Sequence, residues 1–418
     1  MVSIARWSAL EALHDPHFRK LWLAGLCVNV GRWLDFLVLG WLAFELTNSP
    51  FMVGLAAFCR FAPMIVLGLF AGVLIDRLPR GRVLVGVQSV NLAASSTLVL
   101  LFATGHGDLW LLIGLETIMG IAWAVDFPSR RTVLFTLVGP KRVTNAVSLE
   151  SVSMQGTKII GPVIGGVLLG SFGPVWCYLL LSALFLLALL MTISLTRTIE
   201  LPAARATGES MVAGIVMGFR EARWQPAILG VLIITVLMNG LVFPYQQLMP
   251  VFAREVLSVG PELLGVLVAA GGVGTLMGAL WTAGRRDFMA HRQLFVGGSV
   301  LGGVMVVIQS FSPDFWMALP IQFAIGLADA GFGTMQSTIV LLASHERARG
   351  RVLGILSVCI GTNPVGALAV GFIATYVGAP VAFGAASALA LLLMAPVAAR
   401  LLAEGSAPLR VVREEQPA

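Results

Sequence analysis

The chain has 418 residues, 58% of them hydrophobic and only 11% charged, and its mean hydropathy is +0.91. A soluble domain keeps roughly a quarter of its residues charged, so this balance argues against a water-soluble fold and points to lipid as the solvent. The formal net charge of +6 would fit nucleic acid or anionic lipid, and the placement of the cations decides against the first.

Apolar stretches of about 20 residues, enough to cross a bilayer as helix, recur at 21–44, 51–74, 84–104, 109–127, 145–170, 174–196, 226–252, 263–284, 293–311, 316–341, 352–376 and 380–402. They predict an all-α membrane protein with twelve transmembrane helices. Residues 1–20 are polar, and the run after them is too long for the apolar core of a cleavable signal, so it is expected to stay as the first helix. Within it, Arg32 and Asp35 stand three residues apart and share a face. An ionisable group inside a span is costly unless paired or wetted, which makes each one a functional candidate. Two readings of this pair stay open. It is an ion pair that neutralises itself, or Asp35 couples to protons and switches as substrate competes for Arg32.

The second span carries Arg60 and runs into "GVLIDRLPRGR" at 72–82, where an acid and three arginines close a long apolar run. The fourth span holds Glu116 toward its start and Asp126 toward its end. In the fifth, Lys158 precedes "GPVIGG" at 161–166, whose glycines allow close backbone approach and whose proline removes a helical hydrogen bond. Lys158 is read as a counter-charge for Asp126 or Glu150, or else as a substrate contact. A polar stretch near 197–224 ends in "MVAGIVMGFREARW", read as an amphipathic helix on the membrane surface. Asn239, Gln246 and Gln247 in the seventh span are candidates for hydrogen bonds to substrate or between helices. Asp329 sits mid-span in "GLADAGFG", where small neighbours leave room for a cavity, and is the second candidate for proton coupling. Cys27, Cys59, Cys177 and Cys359 fall in apolar segments without paired spacing and read as core filler, with no metal or disulfide expected. P-loop, metal-ligand and nucleophile motifs are missing from the sequence, which argues against an enzyme and against ATP hydrolysis. No cofactor is expected.

With a cytoplasmic N-terminus, the basic residues fall almost wholly in cytoplasmic segments. Of 27 lysines and arginines, Arg254 alone lies in an outward segment, and Arg32, Arg60 and Lys158 lie within spans. This is the positive-inside rule, and it predicts a plasma (inner) membrane protein with both termini cytoplasmic. Nucleic-acid binding is not needed to explain the charge. The chain also repeats itself weakly: Pro50, Gly54 and Asp76 match Pro261, Gly265 and Asp287 at one common offset. "GIAW" at 120 echoes "GLAD" at 326, and "GPVIGG" at 161 echoes "NPVGAL" at 363. A duplication follows, with a six-helix bundle at 1–196, a linker at 197–225, a second bundle at 226–405 and a tail at 406–418. Its substrate would sit at mid-membrane between pseudo-symmetric halves.

The loop at 72–82, with Gly72, Asp76, Arg77, Arg80, Gly81 and Arg82, resembles the signature loop of the major facilitator superfamily. Its Pro79 and one extra residue resemble the branch that includes enterobactin exporters and drug:proton antiporters. "WLAFELTNSP" at 41–50, "AVDFPSRR" at 124–131, "KIIGPVIGG" at 158–166 and "YQQLMPVFAREVL" at 245–257 look like the same branch. The resemblance implies a latch in which Asp76 accepts hydrogen bonds from amides at the start of helix 11, near Gly350, where the dipole favours an anion. Arg80 would tie Asp76 to Asp126. Arg32 and Asp35 depart from the family, which usually has uncharged polar residues there. Arg60 stands where relatives often have glutamine, and Lys158 where they carry arginine.

The family's antiporter motif, G-x-x-x-G-P-x-x-G-G, is met by Gly161, Pro162, Gly165 and Gly166, with Thr157 in place of the first glycine and Gly156 one position early. The resemblance therefore implies a monomeric secondary transporter in the lipid bilayer. It would export a siderophore-like or drug-like small organic molecule by proton antiport through alternating access. Proton-coupled uptake and transport of a lysophospholipid or metabolite stay open. So does a non-transporting sensor or assembly protein, although charges retained in the spans argue against it. Three cations and several acids near the centre suit a cargo with anionic or polar parts.

Overall fold

The computed structural model describes residues 8–75, 78–199, 225–282, 288–344 and 349–403. The proposed linker helix, Asp287 and the tail lie outside them. A 3-10 turn, Ser8–His14, leads into twelve helices. They are α1 (Pro16–Thr47), α2 (Pro50–Ile75), α3 (Arg80–Ala103), α4 (Leu109–Gly139), α5 (Arg142–Phe172) and α6 (Pro174–Thr196), then α7 (Pro226–Glu255), α8 (Pro261–Thr282), α9 (Phe288–Gln309), α10 (Phe315–Ala343), α11 (Arg351–Val377) and α12 (Ala379–Ala403). Local chemistry fixes their ends. The Asp15 carboxylate accepts from the His17 and Phe18 amides to cap α1, and Asp108 does the same for the Trp110 and Leu111 amides of α4. Large apolar side chains such as Leu280 and Leu392 are 70% and 73% exposed on the bundle's rim, a surface that only lipid can cover.

Helix α4 runs well past the apolar stretch at 109–127, and it meets α5 at Gly139. Hydropathy marks only the bilayer crossing, whereas helical hydrogen bonding continues into water as long as the backbone allows. It stops where Gly139 adopts φ 65° and ψ 174°, a conformation glycine accepts without strain.

Two helices are broken at mid-course. In α7 a π-helical turn, Met238–Val242, precedes Pro244, and in α11 a turn at Gly361 and Thr362 separates Arg349–Ile360 from Asn363–Val377. Backbone groups freed in a membrane need local partners. Asn239 Nδ2 donates to the Thr235 carbonyl at 2.9 Å, and the side-chain amides of Gln247 and Asn363 meet at 2.9 Å across the two breaks. Asn239 thus ties a turn of its own helix, and Gln247 joins α7 to α11 while also lining a cavity between the halves.

Helices α1–α6 form one bundle and α7–α12 the other, joined along two seams, α2 against α11 and α5 against α8. The seams are pseudo-symmetric. Gly371 lies on the Pro50 carbonyl and the Gly54 Cα, and Gly166 lies on the Pro261 carbonyl and the Gly265 Cα. The repeated Pro50/Gly54 and Pro261/Gly265 therefore occupy equivalent places. The "GPVIGG" and "NPVGAL" segments lie on the matching helices α5 and α11, where Gly161 packs on the Val30 carbonyl of α1 and Gly366 on the Gly240 carbonyl of α7, each within its own half. Contacts across the seams gather at the end of the bundle away from the chain termini. There Phe51 meets Phe372 at 5.9 Å between ring centroids, and Arg254 lies 5.9 and 5.7 Å over the rings of Trp41 and Phe44.

Candidate functional site

Three arrangements of charged side chains stand out in the bundle. In the first, Gly120 brings α4 onto α2, since a Cβ there would collide with the Arg60 carbonyl oxygen. One turn earlier on the same face, Glu116 reaches the Arg60 guanidinium, with Oε2 3.0 Å from Nε. From α1, Asp35 Oδ2 lies 3.1 Å from Arg60 Nη2. All three are buried, at 0%, 6% and 1% exposure. Two carboxylates thus share one guanidinium in a dry interior, and Asp35 Oδ1, Glu116 Oε1 and Arg60 Nη1 have no hydrogen-bond partner.

The expected pairing of Asp35 with Arg32 gives way to this triad. Arg32 instead lies 4.8 Å from the centroid of Trp123 and 5.9 Å from that of Trp33, a cation held over aromatic faces. A spacing of three puts two residues on one helical face, but a guanidinium arriving from a neighbouring helix offers Asp35 a better approach.

The second arrangement lies toward the termini. Asp126 accepts from Arg130 Nε and Nη2, each at 3.0 Å, and from Gln88 Nε2 at 3.0 Å, while Arg130 Nη1 donates to the Leu21 carbonyl at 3.3 Å. The expected Arg80–Asp126 tie is replaced, because Arg130 is one helical turn from Asp126 and satisfies both carboxylate oxygens. Asp76 and Arg77 lie outside the described residues, as do the surroundings of Gly72 and Gly350. Arg80 and Arg82 open α3.

The third arrangement spans both halves. Gly161 lets α5 approach α1, where a Cβ would stand 2.7 Å from Trp33 Cβ and 2.9 Å from the Val30 carbonyl oxygen. Three residues earlier, Lys158 Nζ lies 5.6 Å from the Trp33 ring centroid. In the other half Gly326 presses α10 onto the Gly271 carbonyl of α8, and Asp329 follows three residues on. Lys158 and Asp329 stand near the middles of their helices and line one narrow cavity with Trp33, Tyr245, Gln246 and Gln322. Lys158 therefore faces Asp329, not Asp126 or Glu150; Glu150 borders a separate cavity with Arg130. A second, narrow apolar cavity shares Phe36, Gln246, Met249 and Val268 with the first and extends past Phe61, Val53 and Pro250 toward the end away from the termini.

The remaining motif also falls on crossings. Gly161 and Gly165 pack on α1, while Pro162 and Gly166 meet α8 across the seam. Of the three intramembrane cations, Lys158 alone lines the first cavity and none lines the second, while Gln246 lines both. Residues not singled out from sequence complete the walls: Trp33, Phe36, Phe61, Tyr245 and Gln322. Gln322 had a readable signal, a lone amide in the apolar run "ALPIQFAIG". Aromatic residues in a greasy chain carry none.

The description "transmembrane secretion effector" belongs to the family model that matches residues 7–410. The chain is 23% identical to the staphyloferrin A transporter of Staphylococcus aureus, over 84% of this chain and 87% of that protein. It is 25% identical to the multidrug efflux pump Tap of Mycolicibacterium fortuitum, over 90% and 93%. It is 26% identical to the enterobactin exporter EntS of Shigella boydii, over 96% and 94%. A solved bacterial homologue of the human lysosomal transporter Spinster, inward-facing and unoccupied, superposes with a TM-score of 0.71 at 15% identity, covering 94% of this chain and 99% of that one.

Proposed function

Since the chain belongs to the transmembrane secretion effector family of the major facilitator superfamily, and so is a multi-pass membrane transporter and not an enzyme, we propose that it exports a siderophore-like or drug-like small molecule in exchange for protons. The observation that carries this reading is the mid-bundle cavity. It lies where the two halves meet, bears one cation and one acid from opposite halves, and is sealed at the end away from the termini. Cytoplasmic termini, as the placement of basic residues favours, make that sealed end the outer one. Rocking of the halves about the two glycine seams would then move the opening from one side to the other.

The Asp35–Arg60–Glu116 triad is the proton site of this reading. Two carboxylates against one guanidinium leave one negative charge uncompensated in a dry interior, and a single proton balances it. Its loss would drive apart groups on α1, α2 and α4. The efflux pump and enterobactin exporter among the relatives support export, as does the near-match of the helix-5 motif.

Reconstituted protein in liposomes with an imposed pH gradient tests the proposal, offered a siderophore, a cationic drug and a lysolipid. The expected result is gradient-driven movement of a siderophore or drug toward the acidic side, lost in Asp35→Asn. Movement of the lysolipid alone, or movement indifferent to the gradient, overturns it. An Asp35→Asn protein with full gradient dependence removes the triad from the proton path.

A further inference from the structure

The cavity's two walls differ in hydrogen-bonding sense. From the N-terminal half, Lys158 is a donor only, and the Trp33 indole Nε1 is a donor without a partner. From the C-terminal half, Asp329 Oδ1 and Gln322 Oε1 are acceptors without partners. Gln322 is 5% exposed, and its Nε2 is already committed to the Tyr245 hydroxyl at 3.2 Å. Among the described residues no ion pair of 4.0 Å or less joins Lys158 to Asp329. Unpaired charges and unfilled hydrogen-bonding atoms are costly at the centre of a membrane, and a cargo that satisfies both walls removes that cost.

We propose that the cavity recognises an amphoteric cargo, with an anionic group for Lys158 and Trp33 beside a cationic or donor group for Asp329 and Gln322, on an apolar or aromatic body. This rests on the cavity being the cargo site of the transport reading. A purely anionic head meets Lys158 but stands beside the Asp329 carboxylate, and a purely cationic one meets Asp329 but stands beside the Lys158 ammonium. Like charges that close, away from bulk water, repel strongly. A head that carries both signs matches both walls at once and bridges the two halves. The apolar lining past Phe36 and Phe61 would face the body of such a molecule once the two halves part to admit it. A zwitterionic small molecule and a zwitterionic lysolipid share this chemistry.

Binding to purified protein, read by ligand-dependent thermal stabilisation and by dissociation constants, separates the charge rule from transport. The probes are one fluoroquinolone scaffold in three forms, the zwitterion, its cationic methyl ester and its anionic N-acetyl derivative, with lysophosphatidylcholine as the lipid arm. Wild-type protein is expected to bind the zwitterion at least tenfold more tightly than either singly charged form. Lys158→Gln should erase the discrimination against the ester, and Asp329→Asn the discrimination against the N-acetyl form. Lys158→Arg and Asp329→Glu should keep the wild-type pattern, which separates charge reading from misfolding. The same pattern with lysophosphatidylcholine competing for the site supports the rule with a lipid as its source. Equal affinity for all three forms, a uniform loss in both variants, or no binding of any probe overturns the proposal. The preference without gradient-driven export sinks the transport reading alone, and export without the preference sinks this inference alone.

Discussion

Two sets of membrane-buried charges in this protein are handled in opposite ways. Arg60, Asp35 and Glu116 are locked together inside one half, each within 3.1 Å of a partner and essentially dry. Lys158 and Asp329 come from different halves, line a cavity and lack an ion pair, although the same low-dielectric setting should draw them together. A set paired within one bundle keeps the same neighbours however the two halves move relative to each other. Charges split across the seam have an environment that changes whenever the halves move or a molecule enters. In the proposed mechanism the first arrangement holds structure and a proton, and the second reads cargo.

The largest expected effect breaks the first set. Arg60→Leu strands two buried carboxylates and should cost about 3–5 kcal/mol, the usual penalty for removing one partner of a buried pair. Thermal unfolding in detergent measures it. Lys158→Gln breaks no ion pair among the described residues and should cost clearly less than Arg60→Leu, and an equal loss at both sites would erase the contrast. Next in size is Gly166→Leu, which forces a side chain into the Pro261 carbonyl at the α5–α8 seam. Overpacking of this kind costs about 1–3 kcal/mol, and spin labels at Phe51 and Phe372 should report a wider closed end. Gly114→Leu is the control, because a Cβ there meets nothing within 4 Å, and its label distance should not move. Smallest is Arg254→Ala, which removes a cation from the faces of Trp41 and Phe44 at an exposed site worth about 0.5–1 kcal/mol. It should widen the same label distance only slightly.

Much of the fold could be read from the chain because hydropathy reports on the solvent each residue meets, and twelve long apolar runs leave few other folds. The glycine–proline repeat was legible for a related reason. Close helix approach demands residues without side chains, so Pro50 with Gly54 and Pro261 with Gly265 mark seams wherever they occur. The site was legible in its membership: Asp35, Arg60, Glu116, Asp126, Lys158 and Asp329 all stood out as charges in spans. Their grouping was not. Arg32 and Asp35 share a helical face, yet Arg60 takes Asp35 and two tryptophans take Arg32. Asp126 and Lys158 share a half, yet Arg130 and Gln88 satisfy the first while the second turns to Asp329's cavity.

The amino-acid sequence by itself determined how many times this chain crosses the membrane, which residues ride in lipid and where its backbones draw close, since these follow from solvation and side-chain size along one strand. Only the tertiary structure decided which charge answers which. That depends on the azimuth at which two helices meet across tens to more than a hundred intervening residues, and the angle is set by glycines such as Gly120, Gly161 and Gly326 pressing on carbonyls far away in the chain.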